Sequence, residues 1–230
     1  MNLEGSVALV TGANRGLGRH FTEQLLARGA AKVYATARDP RSIDVPGVVA
    51  LALDITDPGA VAAAAAAAPD VTLLVNNAGV STYADLVTGD LHAIRREIDT
   101  NYFGPLAMVR AFAPILAANG GGAILNVNSR MSWVSYPSGA NAYGASKAAA
   151  WSMTNGIRLE LAAQGTQVTG LYLSATDTDM MAGWDIPKND PADVVAQALD
   201  GVAAGVTEVL ADRDTAEAKA ALAQVPSVAR

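Results

Sequence analysis

Short runs of apolar residues, many of them β-branched, alternate along the chain with longer stretches whose apolar positions return every three or four residues. The first kind reads as strand and the second as helix. Strands are predicted at 6–10, 32–37, 48–53, 71–75, 123–128, 167–173 and 208–210. Helical patterns occupy 19–28, 58–68, 88–118, an Ala-rich run beginning at Tyr143, 190–204 and a last segment that ends in a polar tail. Local punctuation supports these limits: Gly29 suits a helix C-cap, while Asp57-Pro58 and Asp190-Pro191 suit an N-cap followed by the first helical position. The alanines of 62–68 favour helix but offer little to pack, which makes that helix scaffold. Within 88–118, Asn101 and Gly104-Pro105 interrupt the pattern. They mark either a boundary between two helices or a distorted turn that frees a carbonyl to hold a water.

Strands alternating with helices predict an α/β fold, a doubly wound parallel sheet with helices on both faces. In such sheets ligands bind outside the carboxyl ends of the strands. The glycine-rich stretch 11–18, Asp54, the turn 76–79 and Ser129 each follow a predicted strand, so they are expected along one edge.

Composition narrows the chemistry. A chain of 230 residues, 51% hydrophobic and without a linker-like break, is expected to form one domain over 1–230, with a cofactor half of about 1–120 and a catalytic half of about 121–230. Cysteine is absent, which removes disulfides, thiolate metal sites and thiol catalysis, and His20 and His92 lack metal-ligand spacing, so no metal is expected. The net charge of −6 offers no basic face for nucleic acid. No apolar run is long enough for a membrane span, and no basic region precedes the first apolar run. A soluble, cytoplasmic protein is the expectation.

The stretch Thr11-Gly-Ala-Asn-Arg-Gly-Leu-Gly18 joins the first strand to the first helix. Gly12 permits a tight turn, Gly16 lets a pyrophosphate approach the backbone and Gly18 allows close helix packing, with the helix N–H groups facing the anion. The second strand ends at Ala37-Arg38, where a site for an unphosphorylated ribose would place an acid. Arg38, with Arg15 as a second cation, suits a 2′-phosphate and favours NADP(H). The alternative is a solvated Arg38 with Asp39 in the acid's role. Asn76-Asn-Ala-Gly79 either closes a turn or supplies polar contacts at the sheet edge. Tyr143 and Lys147, four apart, share one helix face, where an ammonium would lower the pKa of a phenol and make it a proton donor and acceptor. Any helix can show this pair by chance, and its weight comes from the cofactor site in the same chain. Met180, Trp184 and the rest of 180–188 read as a substrate lid or as an ordinary surface loop.

Together Thr11-Gly12-x3-Gly16-x-Gly18, Asn76-Asn-Ala-Gly79, Asn101, Ser129 and Tyr143-x3-Lys147 resemble the short-chain dehydrogenase/reductase family over nearly the whole chain. The resemblance implies a Rossmann-like fold and hydride transfer between NADP(H) and a small carbonyl or alcohol. It implies Tyr143 as general acid/base, Lys147 as the group that lowers its pKa and holds the nicotinamide ribose, Ser129 as the residue orienting the carbonyl, and Asn101 as keeper of a relay water. It assigns the cofactor to Gly12, Asn14, Arg15, Gly16, Leu17, Gly18, Arg38, Asp54, Ile55, Asn77, Ala78, Gly79, Tyr143, Lys147 and Thr178. Ser129, Trp133, Tyr136, Tyr143 and Trp184 are expected around the substrate, and a homo-oligomer, tetramer or dimer, is implied. Two departures stand out. The Ser129 to Tyr143 separation is one residue longer than the family's, which suggests an insertion within 136–141, with Ser132 as the rival serine. Leu173-Ser174 replaces the usual Pro-Gly, and serine lacks glycine's freedom at positive φ. Reduction of an imine or activated alkene, and a non-enzymatic NADP-sensing module, are the competing readings.

Overall fold

Seven strands form one sheet in which every pairing is parallel, in the order β3-β2-β1-β4-β5-β6-β7. They are β1 (Val7–Val10), β2 (Lys32–Ala37), β3 (Val49–Ala52), β4 (Leu73–Asn76), β5 (Ala123–Val127), β6 (Gln167–Tyr172) and β7 (Glu208–Leu210). The computed structural model describes residues 1–137 and 139–223. The polar tail expected after the last helix falls largely outside them.

Alternation along each strand divides the core. Ala8, Val10, Val33, Ala35, Leu73 and Val75 point to the face covered by α1 (Gly16–Ala27) and α6 (Pro191–Ala204). Leu9, Tyr34, Leu74 and Ile124 point to the other face, where α2 (Pro58–Ala67), α4 (Gly104–Ala118) and α5 (Asn141–Glu160) pack with Met108, Phe112, Leu116 and Met153. Both faces of the central strands are therefore dry, which is why they read as continuous apolar runs. The remaining helices are α3 (Leu91–Ile98) and α7 (Arg213–Ala221). Among the described residues no helix is long and apolar enough to cross a membrane.

Four aspartates cap α-helices as side-chain acceptors: Asp57 for α2, Asp90 for α3, Asp190 for α6 and Asp212 for α7. Asp90, not Thr88, thus starts the third helical region. That region is not one α-helix. After α3 the chain makes a π-helical turn, Asp99–Phe103, before α4 follows directly. Pro105 has no N–H to give to the carbonyl four residues back, that of Asn101, so Gly104-Pro105 produces a local distortion and the helix restarts without a break.

Candidate active site

The carboxyl edge of β1, β4, β5 and β6 brings the predicted groups together. Gly12 and Gly16 hold φ of +64° and +51°, conformations that favour glycine. A Cβ on Gly18 would overlap the Gly12 carbonyl and lie 2.6 Å from Asn77 Nδ2. No side chain caps α1, and Arg15 at its N-cap is extended, which leaves first-turn N–H groups available to an anion. These features fit a pyrophosphate. Asn77 Nδ2 donates to the Thr11 and Gly12 carbonyls at 2.9 and 3.2 Å, and the Thr11 hydroxyl accepts from the N–H groups of Asn77 and Ala78, each at 3.0 Å. Asn77 and Thr11 therefore shape the turn from behind. The backbone of Ala78 packs against Gly12, and Thr178 packs against Gly16 from the loop after β6.

Arg38 is exposed and makes no side-chain hydrogen bond or ion pair among the described residues, whereas Asp39 is bound to Arg41 through both carboxylate oxygens. The acid one position late is thus already engaged. Asp54 accepts from the N–H and hydroxyl of Thr56, at 2.9 and 2.7 Å, which holds its carboxyl below the ordinary range, with a smaller pull from Arg38. Ile55 is buried against Gly104 and turns its side chain into the core, Leu17 packs on the α1 side of the core, and Asn14 is half-buried in the glycine turn. Arg15 pairs with Asp179 at 3.2 Å, tying the glycine turn to the segment beyond Thr178.

Tyr143 lies in the first turn of α5, with Lys147 one turn on, and Lys147 Nζ stands 5.7 Å from the Tyr143 ring centre. Lys147 Nζ donates to the Val127 carbonyl at 2.8 Å. The expected lowering of the phenol is not what the pair displays. Burial pushes the Tyr143 hydroxyl up to about 12, partly offset by the Ser129 hydroxyl and reinforced by Glu97 and Tyr83, and burial brings Lys147 down to about 8. Desolvation is the leading cause of both shifts, because each charged form loses water.

Of the two serines, Ser129 is the one beside Tyr143. It stands just past the end of β5, and its oxygen accepts from Met131 N–H at 3.1 Å, leaving its own proton to donate. Ser132 is spent on structure, donating to the Lys147 carbonyl at 3.0 Å. Directly before α5, Gly139 and Ala140 hold φ of +76° and +74°. Ser174 needs no positive φ. Its N–H donates to Asp212 at 2.8 Å and its hydroxyl accepts from Asn189 at 3.1 Å, so side chains replace the glycine turn.

Asn101 is buried and its side chain fully committed: Oδ1 accepts from Val80 N–H, while Nδ2 donates to the Val80 carbonyl and to Ser146 Oγ. Ser146 in turn donates to the Tyr143 carbonyl at 2.7 Å. A cavity of about 10 Å³, room for one water, is lined by Asn76, Asn101, Pro105, Asn126, Asn128 and Lys147. The buried Asn76 Oδ1 in that lining has no protein partner. Gly79 passes close to both Asn101 and Lys147.

The substrate walls differ most from expectation. Trp133 stacks on Tyr172 at 4.6 Å, meets Trp151 edge-on and carries Lys219 over its ring, so it is committed to the contact with α7. Tyr136 is bonded to Arg130, which pairs with Asp214 on α7. Trp184 packs on Tyr83 with ring centres 5.9 Å apart, and the Tyr83 hydroxyl donates to the Met180 carbonyl. Tyr83, at φ +57°, has no sequence signature, while Thr11 and Ser146 lie within recognised motifs whose spacing does not reveal their supporting hydrogen bonds.

Residues 6–189 match the short chain dehydrogenase family. The chain is 34% identical over 188 residues, 77% of its own length and 74% of the relative's, to a galactitol 2-dehydrogenase (L-tagatose-forming) of Cereibacter sphaeroides. A crystal structure of a short chain dehydrogenase from Burkholderia cenocepacia J2315 in complex with NADP superposes with a TM-score of 0.91 at 43% identity, covering 97% of this chain and 95% of that one. A 3-ketoacyl-(acyl-carrier-protein) reductase from Brucella melitensis complexed with NADH superposes with a TM-score of 0.83 at 27% identity over 90% of this chain and 96% of the other. With a seven-stranded parallel sheet, a glycine turn at its edge and Ser129, Tyr143 and Lys147 beside it, this chain belongs to the short-chain dehydrogenase/reductase family.

Proposed function

We propose that the protein is an NADP(H)-dependent oxidoreductase that interconverts a ketone or aldehyde and its alcohol, with Tyr143 as general acid/base. The convergence of Ser129, Tyr143 and Lys147 next to an anion-binding glycine turn carries this reading. The nicotinamide, when bound, supplies or accepts the hydride. The glycine turn, Thr178 and Arg38 hold its phosphates, and Tyr143 and Lys147 hold the nearby ribose. Ser129 and Tyr143 hydrogen-bond the carbonyl oxygen. In reduction the Tyr143 O–H bond breaks as the alcohol O–H bond forms, and Lys147 returns a proton through the water held near Asn101. A phenol held near 12 by burial is fully protonated at neutral pH, which suits donation.

NADP(H) is favoured over NAD(H) by Arg38, which has no side-chain partner among the described residues, and by the engagement of Asp39 with Arg41. The similarity to a galactitol dehydrogenase makes polyols and ketoses the first substrates to try, and the Tyr83–Trp184 pair offers a face for a sugar or aryl ring. A cytoplasmic homo-oligomer accompanies this reading, to be checked by light scattering. The test is NADPH oxidation with ketoses, aryl ketones, aldehydes and cyclic imines, with NADP reduction by polyols alongside. Tyr143→Phe should lose about 10²- to 10⁴-fold in turnover while keeping NADPH affinity, and Arg38→Asp should shift preference toward NADH. Equal turnover in Tyr143→Phe refutes the assignment.

A further inference from the structure

Helix α7 lies beyond residues 6–189, the part of the chain that matches the family, and packs against β7 and the short 3₁₀ turn Arg130–Ser132. Ser129 is the N-cap of that turn. Its hydroxyl oxygen accepts from Met131 N–H at 3.1 Å and its carbonyl from Ser132 N–H at 3.0 Å, so the turn governs where the hydroxyl stands. The end of β6 and helix α5 hold the turn through the Leu173 carbonyl, which accepts from Arg130 N–H at 2.9 Å, and the Lys147 carbonyl, which accepts from Ser132. Helix α7 adds two side chains. Asp214 pairs with the Arg130 guanidinium at 3.1 Å, and Lys219 Nζ stands 4.6 Å from the ring centre of Trp133, the residue that closes the turn. The same ammonium lies 5.3 and 5.9 Å from the ring centres of Trp151 and Tyr172, and it donates to Glu208 at 2.9 Å. Lys219 thus sits among three rings and a carboxylate. An apolar side chain would cover these rings as well; an ammonium adds direction, because it is attracted to the ring faces. The sequence makes room for the arrangement at Gly170 of β6, where a Cβ would stand 2.7 Å from the Tyr172 hydroxyl. The start of α7 is itself fastened to the loop after β6, since Asp212 accepts from Ser174 N–H at 2.8 Å and from the Asn189 amide at 3.1 Å.

We propose that α7 is a positioning element of the reaction, with Lys219 as its principal residue: by fixing Arg130 and Trp133, the two residues that bracket the turn, it holds the Ser129 hydroxyl in line with the carbonyl oxygen of the substrate. The assignment rests on Ser129 being the residue that orients that carbonyl.

The experiment uses the full chain and single-turnover NADPH oxidation, with enzyme in excess of NADPH so that slow variants are still read, on the ketoses, aryl ketones and aldehydes of the panel. Lys219→Met removes the charge at similar length, Lys219→Arg keeps it, and Asp214→Asn releases Arg130 at the surface. Each is made with Ser129 present and in the Ser129→Ala background. Lys219→Met should slow the step about ten- to hundredfold, the scale of a misplacement of about 1 Å, with NADPH affinity unchanged, and Lys219→Arg should restore most of the rate. Asp214→Asn should give a smaller loss of the same kind. In the Ser129→Ala background neither Lys219→Met nor Asp214→Asn should slow the step further, because the group they position is gone. A loss of equal factor in both backgrounds, or no loss with Ser129 present, overturns the positioning role. If Lys219→Met does not fold, Asp214→Asn decides by the same comparison. Absence of turnover in the unsubstituted protein overturns the reductase reading and this assignment with it, whereas turnover that needs Ser129 but ignores Lys219 and Asp214 overturns the positioning role alone.

Discussion

Gly18→Ala tests the glycine turn most directly. The added methyl meets backbone at Gly12 and the amide nitrogen of Asn77, neither of which is the free end of a flexible chain. Either the turn or Asn77 must move, and Asn77 carries two hydrogen bonds that hold the turn closed. Overpacking of this kind costs about 1–3 kcal/mol, and losing two hydrogen bonds adds about 1 kcal/mol each. A total of about 3–5 kcal/mol corresponds to a fall in Tm of roughly 6–20 °C for a chain of this length. Displacing the phosphate-facing N–H groups should also weaken NADPH binding at least about tenfold, or 1.4 kcal/mol. Gly5→Ala is the control: Gly5 has φ +77° but nothing within 4 Å of its missing Cβ. It should lose about 1 kcal/mol from left-handed strain and bind NADPH normally. Thermal melts and fluorescence titration with NADPH read both quantities. A Gly18→Ala protein with unchanged Tm and unchanged Kd refutes the packing argument.

Ser129→Ala should lower turnover while leaving Tm nearly unchanged, and Ser132→Ala should lower stability by about 1 kcal/mol with NADPH binding intact; the reverse pattern would exchange the roles of the two serines. Lys147, at about 8 in the fold against 10.5 when free, binds fewer protons folded than unfolded between those values, so its contribution to stability rises with pH across that window. The Tm of the wild type relative to Lys147→Met should accordingly increase from pH 7 to pH 10, by an amount equivalent to at most roughly 3 kcal/mol, and a constant difference would contradict the burial of Lys147. Tyr143 acts in the opposite sense at higher pH: its folded value near 12 exceeds the free value of 10, so stability falls as pH rises between them. Asn126→Ala strands the buried amide of Asn76 and removes a donor to Thr154, and should cost about 2–4 kcal/mol in a denaturant melt.

The sequence by itself determined the strand-helix alternation, because both faces of the central strands are dry and the apolar runs record that burial directly. It also determined the glycine turn, the strand-end positions and the Tyr143–Lys147 face, since each follows from local backbone geometry and fixed spacing. Tertiary structure alone decided what each polar group is used for. Ser129 and Ser132 are chemically identical and three apart, and only the packing of α5 against the end of β5 spends one on the Lys147 carbonyl and leaves the other beside Tyr143. Trp133 reads as a pocket wall in a motif-rich stretch, yet α7, some eighty residues later, supplies the Lys219 and Asp214 that draw its loop away. The ionisation of Tyr143 and Lys147 was likewise beyond spacing, because desolvation depends on how far distant elements exclude water from each group.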